Sequence, residues 1–178
     1  MKIINTSFKG LKIIQQKKHS DNRGFLRETH NQKIVKFEKF VFEYCTVSKA
    51  NVLRGFHFQT KFQQAKFVNV VKGKILDCVI DLRKNSSTFA KVFKIILSAQ
   101  NCLGLYIPAG FAHAYYSCDE TNIIYYKLSN YYKPKFENGI IWNDKKFNLV
   151  WGKIKPLISI KDKKLKTFND FCEKYKYL

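Results

Sequence analysis

A chain of 178 residues, 46% hydrophobic and 16% aromatic, is long enough to bury a substantial core as one domain spanning residues 1–178. It contains no apolar run of about 18 residues, which argues against a membrane-spanning helix, and its opening MKIINTSFKGLKII lacks the apolar core and cleavage site of a signal peptide, so a cytoplasmic protein is expected. The net charge of +20 invites a nucleic-acid reading, but the excess is Lys spread along the chain, with Arg only at positions 23, 27, 54 and 83 and no basic stripe interleaved with aromatics, so neither nucleic acid nor membrane is the expected partner.

Residues 1–20 alternate loosely around Ile3, Phe8, Leu11, Ile13 and Ile14 and predict one or two strands. Ser20-Asp21-Asn22-Arg23-Gly24-Phe25 is a turn built from residues that tolerate tight backbone geometry, followed by a short strand carrying Phe25, Arg27 and Glu28. Residues 31–40 place Ile34, Phe37 and Phe40 at helical spacing and predict a short helix. Phe42 to Val52 reads as a strand and a turn, with Asn51 near the turn. Arg54-Gly55-Phe56-His57-Phe58-Gln59 reads as a further turn, leading into strands Phe67–Val71 and Ile75–Leu82 that flank Lys72-Gly73-Lys74 as a hairpin.

Strands are expected again at Val92–Leu97, Leu103–Ile107, Ala112–Tyr116 and Ile123–Leu128, with turns at 85–87, 99–102 and 108–110. Gly139–Asp144 and Leu149–Trp151 read as short edge segments. From Lys163 to the end, Leu165, Phe168, Phe171, Cys172 and Tyr175 share one helical face and predict a C-terminal amphipathic helix packed on the barrel. Strands separated by turns about every ten residues indicate an antiparallel sandwich or barrel. The five cysteines are odd in number, widely spaced and without a CxxC pair, so reduced, mostly buried thiols are expected.

Polar groups inside β-patterned sequence point to a lined cavity, because a strand turns every second residue the same way. His57, Lys66, Asp77 and Asp81 lie among apolar neighbours in this fashion. Gly55-Phe56-His57-Phe58-Gln59 and the later Pro108-Ala109-Gly110-Phe111-Ala112-His113 resemble the two motifs of the cupin superfamily, which implies an all-β jelly-roll barrel of antiparallel strands with short peripheral helices. Metal-binding cupins carry a second His two residues after the first. Here Gln59 stands in its place and Lys66 lies nearby, so no metal is expected.

VLRGFHFQ, QAKFV, DCVIDLRK, IPAGFAHA, YYKLSNYYKP and GIIWND, in that order, resemble the nucleotide-sugar 3,5-epimerases over residues 3–162, nearly the whole chain. The type reaction of that family acts on dTDP-4-keto-6-deoxyglucose, on the route to an activated rhamnose for surface polysaccharide. The resemblance implies His57 as the base, held by Asp162 in a His–Asp dyad, Tyr126 as the acid and Lys66 beside the enolate oxygen. It implies Arg54, Arg23, His113, Glu28 and Lys161 as contacts to the diphosphate and sugar, Phe25 and Tyr131 as the pair around the base, and Asp77 as an inward-facing acid. Gln59 and Glu137 complete the candidate substrate-binding set. No cofactor is implied; a homodimer with exchanged strands is.

The chain departs from that family at Tyr44-Cys45-Thr46-Val47-Ser48-Lys49, where Gln and Asn usually precede the Ser-Lys turn, at Tyr115-Tyr116 and at Asn138. These departures bear on nucleotide and sugar, not on the acid–base pair. A GDP- or other NDP-linked 4-keto sugar, including a heptose, stays open, as does inversion at one centre only. A cupin ketoisomerase and a non-catalytic sugar-nucleotide or anionic-polymer binder are the competing classes.

Overall fold

The computed structural model of the protein describes residues 1–152 and 154–175. In chain order the strands are β1 (Lys2–Asn5), β2 (Lys12–Gln15), β3 (Lys18–Asp21), β4 (Gly24–Arg27), β5 (Phe42–Lys49), β6 (Leu53–Gln59) and β7 (Lys66–Lys72). They continue with β8 (Lys74–Asp81), β9 (Val92–Ser98), β10 (Leu103–Ile107), β11 (Phe111–Ser117), β12 (Thr121–Leu128) and β13 (Glu137–Gly139). Two short helices, α1 (Ile160–Lys163) and α2 (Phe168–Tyr175), follow. A six-stranded antiparallel sheet runs β1-β2-β10-β7-β12-β5 and a five-stranded one β13-β6-β11-β8-β9, while β3 and β4 form a separate hairpin. This is the expected all-β cupin jelly roll.

Side-chain alternation builds three apolar layers. Val68 and Val70 of β7, Ile75 and Val79 of β8, Leu105 and Ile107 of β10 and Ile124, Tyr126 and Leu128 of β12 fill the space between the sheets. The intervening residues Cys78, Ile80, Ala112 and Ala114 face the other way and pack beneath Trp151, Phe168 and Phe171, so the C-terminal segment covers the outside of the five-stranded sheet. Phe67 and Tyr106 face outward from the six-stranded sheet and join Ile14 and Ala65. Full burial on both faces of β8 and β11 explains why their sequences read as near-continuous apolar runs.

Four local expectations are corrected. Lys72-Gly73-Lys74 is a corner and not a hairpin tip, because β7 and β8 belong to different sheets. Both strands send alternate residues into the same interior from opposite sides, a pattern that alternation alone cannot distinguish from a hairpin. Residues 31–40 form no helix. The Asn31 carbonyl accepts from the backbone N–H of Ile34 and Val35, and its side chain accepts from Lys33 N (3.0 Å). Gln32 Nε2 then donates to the Val35 and Glu38 carbonyls, and such side-chain bonds compete with the helical ladder. Phe37 packs edge-on against Tyr106 and Phe40 stacks on Phe67, so their spacing marks seats on a sheet. Leu149–Trp151 forms no strand; Trp151 is buried instead and donates its indole N–H to the Trp142 carbonyl. The C-terminal helix starts at Phe168, leaving Leu165 before it, and residues 176–178 of that expectation lie outside the described residues.

The Arg-Gly-x-His-x-Gln segment, expected as a turn, is strand β6 with a bulge in it. Opposite β11, His57 pairs with His113 and Arg54 with Tyr115, so three steps on β6 match two on β11. In a regular strand Arg54 and His57 would point to opposite faces; the extra residue turns both toward the space between the sheets. Gly55 occupies the bulge at φ +119, and a Cβ there would stand 2.5 Å from the His113 carbonyl oxygen and 2.6 Å from Ala114 Cα. Gly55→Ala is therefore expected to destabilise the fold by about 3 kcal/mol or more, read as a lowered urea midpoint at unchanged m-value.

Candidate active site

The two sheets enclose a cavity of about 550 Å³ whose walls include Tyr44, Thr46, Arg54, His57, Lys66, His113, Tyr115, Tyr126, Tyr132, Glu137, Lys161 and Asp162. His57 comes from β6 of the five-stranded sheet and Tyr126 from β12 of the six-stranded sheet, so the two enter one cavity from opposite walls.

His57 Nε2 lies 2.7 Å from Asp162 Oδ1, a partner 105 residues later in the chain. Asp162 sits in α1, whose N-cap Ser159 accepts the Asp162 backbone N–H through its hydroxyl (3.0 Å). The other carboxylate oxygen accepts the Gly55 N–H at 3.3 Å, so the bulge glycine also helps to seat the dyad. Burial pushes the Asp162 carboxyl up, but the hydrogen bond and charge of His57, the Gly55 N–H and the Lys161 charge outweigh it and hold the group ionised. A carboxylate on Nε2 selects the tautomer with its hydrogen there and leaves Nδ1 as the free base.

A second pair lies beside the first. His113 Nε2 is 2.8 Å from Asp77 Oδ2, and both are buried. Among the described residues Asp77 Oδ1 has no hydrogen-bond partner. Lys66, at the start of β7, is buried, and its Nζ makes a long bond of 3.4 Å to the His57 carbonyl. Burial pushes its ammonium down to about 8 against the pull of Asp77 and Glu137. Tyr126 is 3% exposed and stacks on Tyr44 with ring centres 4.9 Å apart. Burial pushes its phenol well above the ordinary value, so it stays protonated and able to act as an acid. At the rim Glu137 accepts from both Lys161 and the Tyr132 hydroxyl. Among the described residues no group of three or more His, Cys, Asp or Glu is arranged to hold a metal ion.

The model of the dTDP-4-dehydrorhamnose 3,5-epimerase family matches residues 5–170. The chain belongs to that family. The dTDP-4-dehydrorhamnose 3,5-epimerase of Shigella flexneri is 38% identical over 170 residues, covering 91% of this chain and 93% of its own length. That of Escherichia coli K12 is 36% identical over 179 residues, 96% of each chain. Among solved structures, the Bacillus anthracis epimerase with TDP and pyrophosphate bound superposes with a TM-score of 0.90 at 35% identity, covering 94% of this chain and 99% of that one. The Legionella pneumophila epimerase in complex with dTDP-4-keto-L-rhamnose gives 0.89 at 34% identity, covering 94% and 93%. The protein is thus an epimerase, an enzyme of the isomerase class.

Of the residues singled out from the sequence, the epimerase brings His57, Tyr126, Asp162, Lys66, Arg54, Gln59, His113, Glu137 and Lys161 to one cavity, with Asp77 directly behind His113. Gln59 has a structural use. Its amide donates to the Phe62 and Tyr131 carbonyls and accepts from Lys133 N–H, which ties two loops together. Arg23, Phe25 and Glu28 do not line the cavity of their own chain. Arg23 is 86% exposed on the β3–β4 hairpin and paired with Asp21, Phe25 is exposed beneath Lys18 Nζ, and Glu28 lies at the foot of the hairpin. Tyr131 is exposed outside the cavity, and its neighbour Tyr132 lines it instead.

Tyr44, Thr46 and Tyr115, which the sequence marks as departures from the family pattern bearing on nucleotide and sugar without a stated contact, all line the cavity. The signal that could have found them is the alternation Tyr44, Thr46, Ser48 on β5, hydroxyl side chains at every second position opposite Tyr126, Ile124 and Asn122.

Lys66 generates a prediction in pH. Its folded pKa of about 8 lies below its ordinary 10.5, so between those values the unfolded chain holds a proton that the folded one has released. This residue therefore makes stability rise with pH across that window. Lys66→Met should flatten that rise, increase the melting temperature at pH 7 and abolish turnover. A Lys66→Met protein with the wild-type pH dependence of stability would contradict this account.

Proposed function

We propose that residues 1–178 act as one catalytic unit that inverts C3 and C5 of dTDP-4-keto-6-deoxyglucose by proton removal and return. The observation that carries this reading is the placement of an imidazole–carboxylate dyad and a buried phenol on opposite walls of one cavity with a buried ammonium between their sheets. A C4 ketone acidifies the hydrogens on its two neighbouring carbons, so the substrate supplies the electron sink and no cofactor is needed. Nδ1 of His57 takes the proton and Asp162 stabilises the imidazolium that forms. Lys66 faces the enolate oxygen, where a cation lowers the barrier most. Tyr126 returns a proton to the opposite face, which inverts the centre. His57 then passes its proton to solvent, Tyr126 regains one, and the cycle repeats at the other carbon.

Arg54 and Lys161, cations at the cavity edge, suit the diphosphate. The dTDP reading is supported over a GDP-linked sugar by the relatives named above, two of whose solved structures hold TDP with pyrophosphate and a dTDP-linked 4-keto sugar. A cytoplasmic location is part of this proposal, and the enzyme's five cysteines, none of them in a disulfide, support it; no helix among the described residues is long and apolar enough to cross a membrane. The working form is proposed to be a homodimer in which the β3–β4 hairpin of one subunit brings Arg23 and Phe25 to the other subunit's cavity. This is supported by the exposure of both side chains away from their own site.

In heavy water with dTDP-4-keto-6-deoxyglucose and no added cofactor, deuterium should enter at C3 and C5. His57→Ala and Tyr126→Phe should each lower the rate about a hundredfold or more. Exchange that persists in His57→Ala, or a product whose ketone has moved to C3, would overturn the reading. Sedimentation should give a dimer, and Arg23→Ala should raise KM about tenfold with little change in kcat; a monomer with full activity would remove the exchanged-hairpin part alone.

A further inference from the structure

We propose that the Tyr115 hydroxyl is a positioning group for Tyr126, tying the two sheets together across the cavity through Thr46 and Ser48 and so fixing the distance between acid and base. The inference rests on the acid–base reading above.

Tyr115 belongs to β11, in the sheet that carries His57, and is 3% exposed with its side chain between the sheets. Its hydroxyl lies 3.0 Å from Thr46 Oγ1 and 2.9 Å from Ser48 Oγ, both on β5 of the opposite sheet. β5 is the last strand of its sheet and is paired on one side only, by β12. In that pairing Tyr126 stands opposite Tyr44 and Ile124 opposite Thr46, so Tyr44, Thr46 and Tyr126 share the inward face. Tyr126 thus lies between β7, where it is paired with Val68, and β5, which has no strand partner on its outer edge among the described residues, and Tyr115 supplies a polar anchor for β5 from the far wall.

The tie also reaches the substrate-binding edge. Ser48 Oγ accepts Arg54 Nε at 3.2 Å, and Arg54 is the register partner of Tyr115 on β6. One phenol therefore links an edge strand, the phosphate-facing cation and the strand that bears the acid. Burial raises the Tyr126 phenol, the nearby Tyr115 and Tyr44 phenols and Asp77 add to that rise, and the Thr46 hydroxyl opposes it. Tyr115 acts through Thr46 and does not itself transfer a proton.

Tyr115→Phe keeps the ring and removes only the hydroxyl. On dTDP-4-keto-6-deoxyglucose it should lower kcat about tenfold or more, with KM within about twofold, as expected when reacting groups are displaced while binding is kept. Thr46→Val should give a similar loss, and Thr46→Ser should recover most of it. The double variant Tyr115→Phe with Thr46→Val should be no slower than the slower single, because both changes cut the same tie.

Unchanged kcat in Tyr115→Phe, a loss confined to KM, or losses that multiply in the double variant would each overturn the proposal. If Tyr115→Phe does not fold, the Thr46→Val and Thr46→Ser pair decides it, since equal kcat in both means the hydroxyl is idle. Wild-type deuterium exchange separates the two levels. No exchange in wild type sinks the epimerase reading, whereas normal exchange in both wild type and Tyr115→Phe sinks only the tie.

Discussion

One extra residue in β6 governs the catalytic face of this molecule. Strand geometry forbids two side chains three positions apart from facing the same way, yet Arg54 and His57 both line the cavity. The bulge at Gly55 resolves the conflict. It also leaves Phe56 and Phe58 free to enter the outer apolar layer, and it aims the Gly55 N–H at the carboxylate that supports His57. No residue with a Cβ fits there, because the backbone of β11 lies against it. His57, Arg54 and Asp162 are thus arranged by one backbone irregularity.

Charge in the cavity is organised by pairing. Asp162 is answered by His57, Asp77 by His113, and Glu137 by Lys161 and Tyr132. Lys66 has, among the described residues, one long bond to a carbonyl, and burial makes its ammonium easier to deprotonate against the pull of Asp77 and Glu137. A buried cation with weak partners is a poor contributor to the empty fold, and it suits a site where negative charge develops on an oxygen during reaction. The same arrangement opposes stability and favours chemistry.

Much of the fold was legible because β12 alternates strictly between buried and half-buried positions and because β8 and β11, packed on both faces, read as near-continuous apolar runs. What alternation could not convey is partnership, so the corner at Gly73 read as a hairpin and the bulge at Gly55 as a turn. The segment 31–40 misled because aromatic seats on a sheet happened to fall at helical intervals. In the site, His57 stood out as a polar residue among apolar neighbours. Its link to Asp162 spans 105 residues and came only from family resemblance. In Tyr131-Tyr132, neighbours in an extended chain point apart, and local sequence does not say which one turns inward. Tyr115 stands out in the sequence as a departure from the family pattern, but its role does not, because a buried tyrosine reads as core until its hydroxyl is seen to have partners on the opposite sheet.

The dyad carboxylate is made late. Every strand of both sheets is complete by Gly139, whereas Asp162 follows in a short capped helix. During synthesis the strand that carries His57 therefore emerges well before the carboxylate that pairs with it. Chains that stop short of α1 would lack both Asp162 and the Phe168 and Phe171 that cover the outer face of the five-stranded sheet. The pairing of His57 with its carboxylate thus waits on residues that emerge after the last strand.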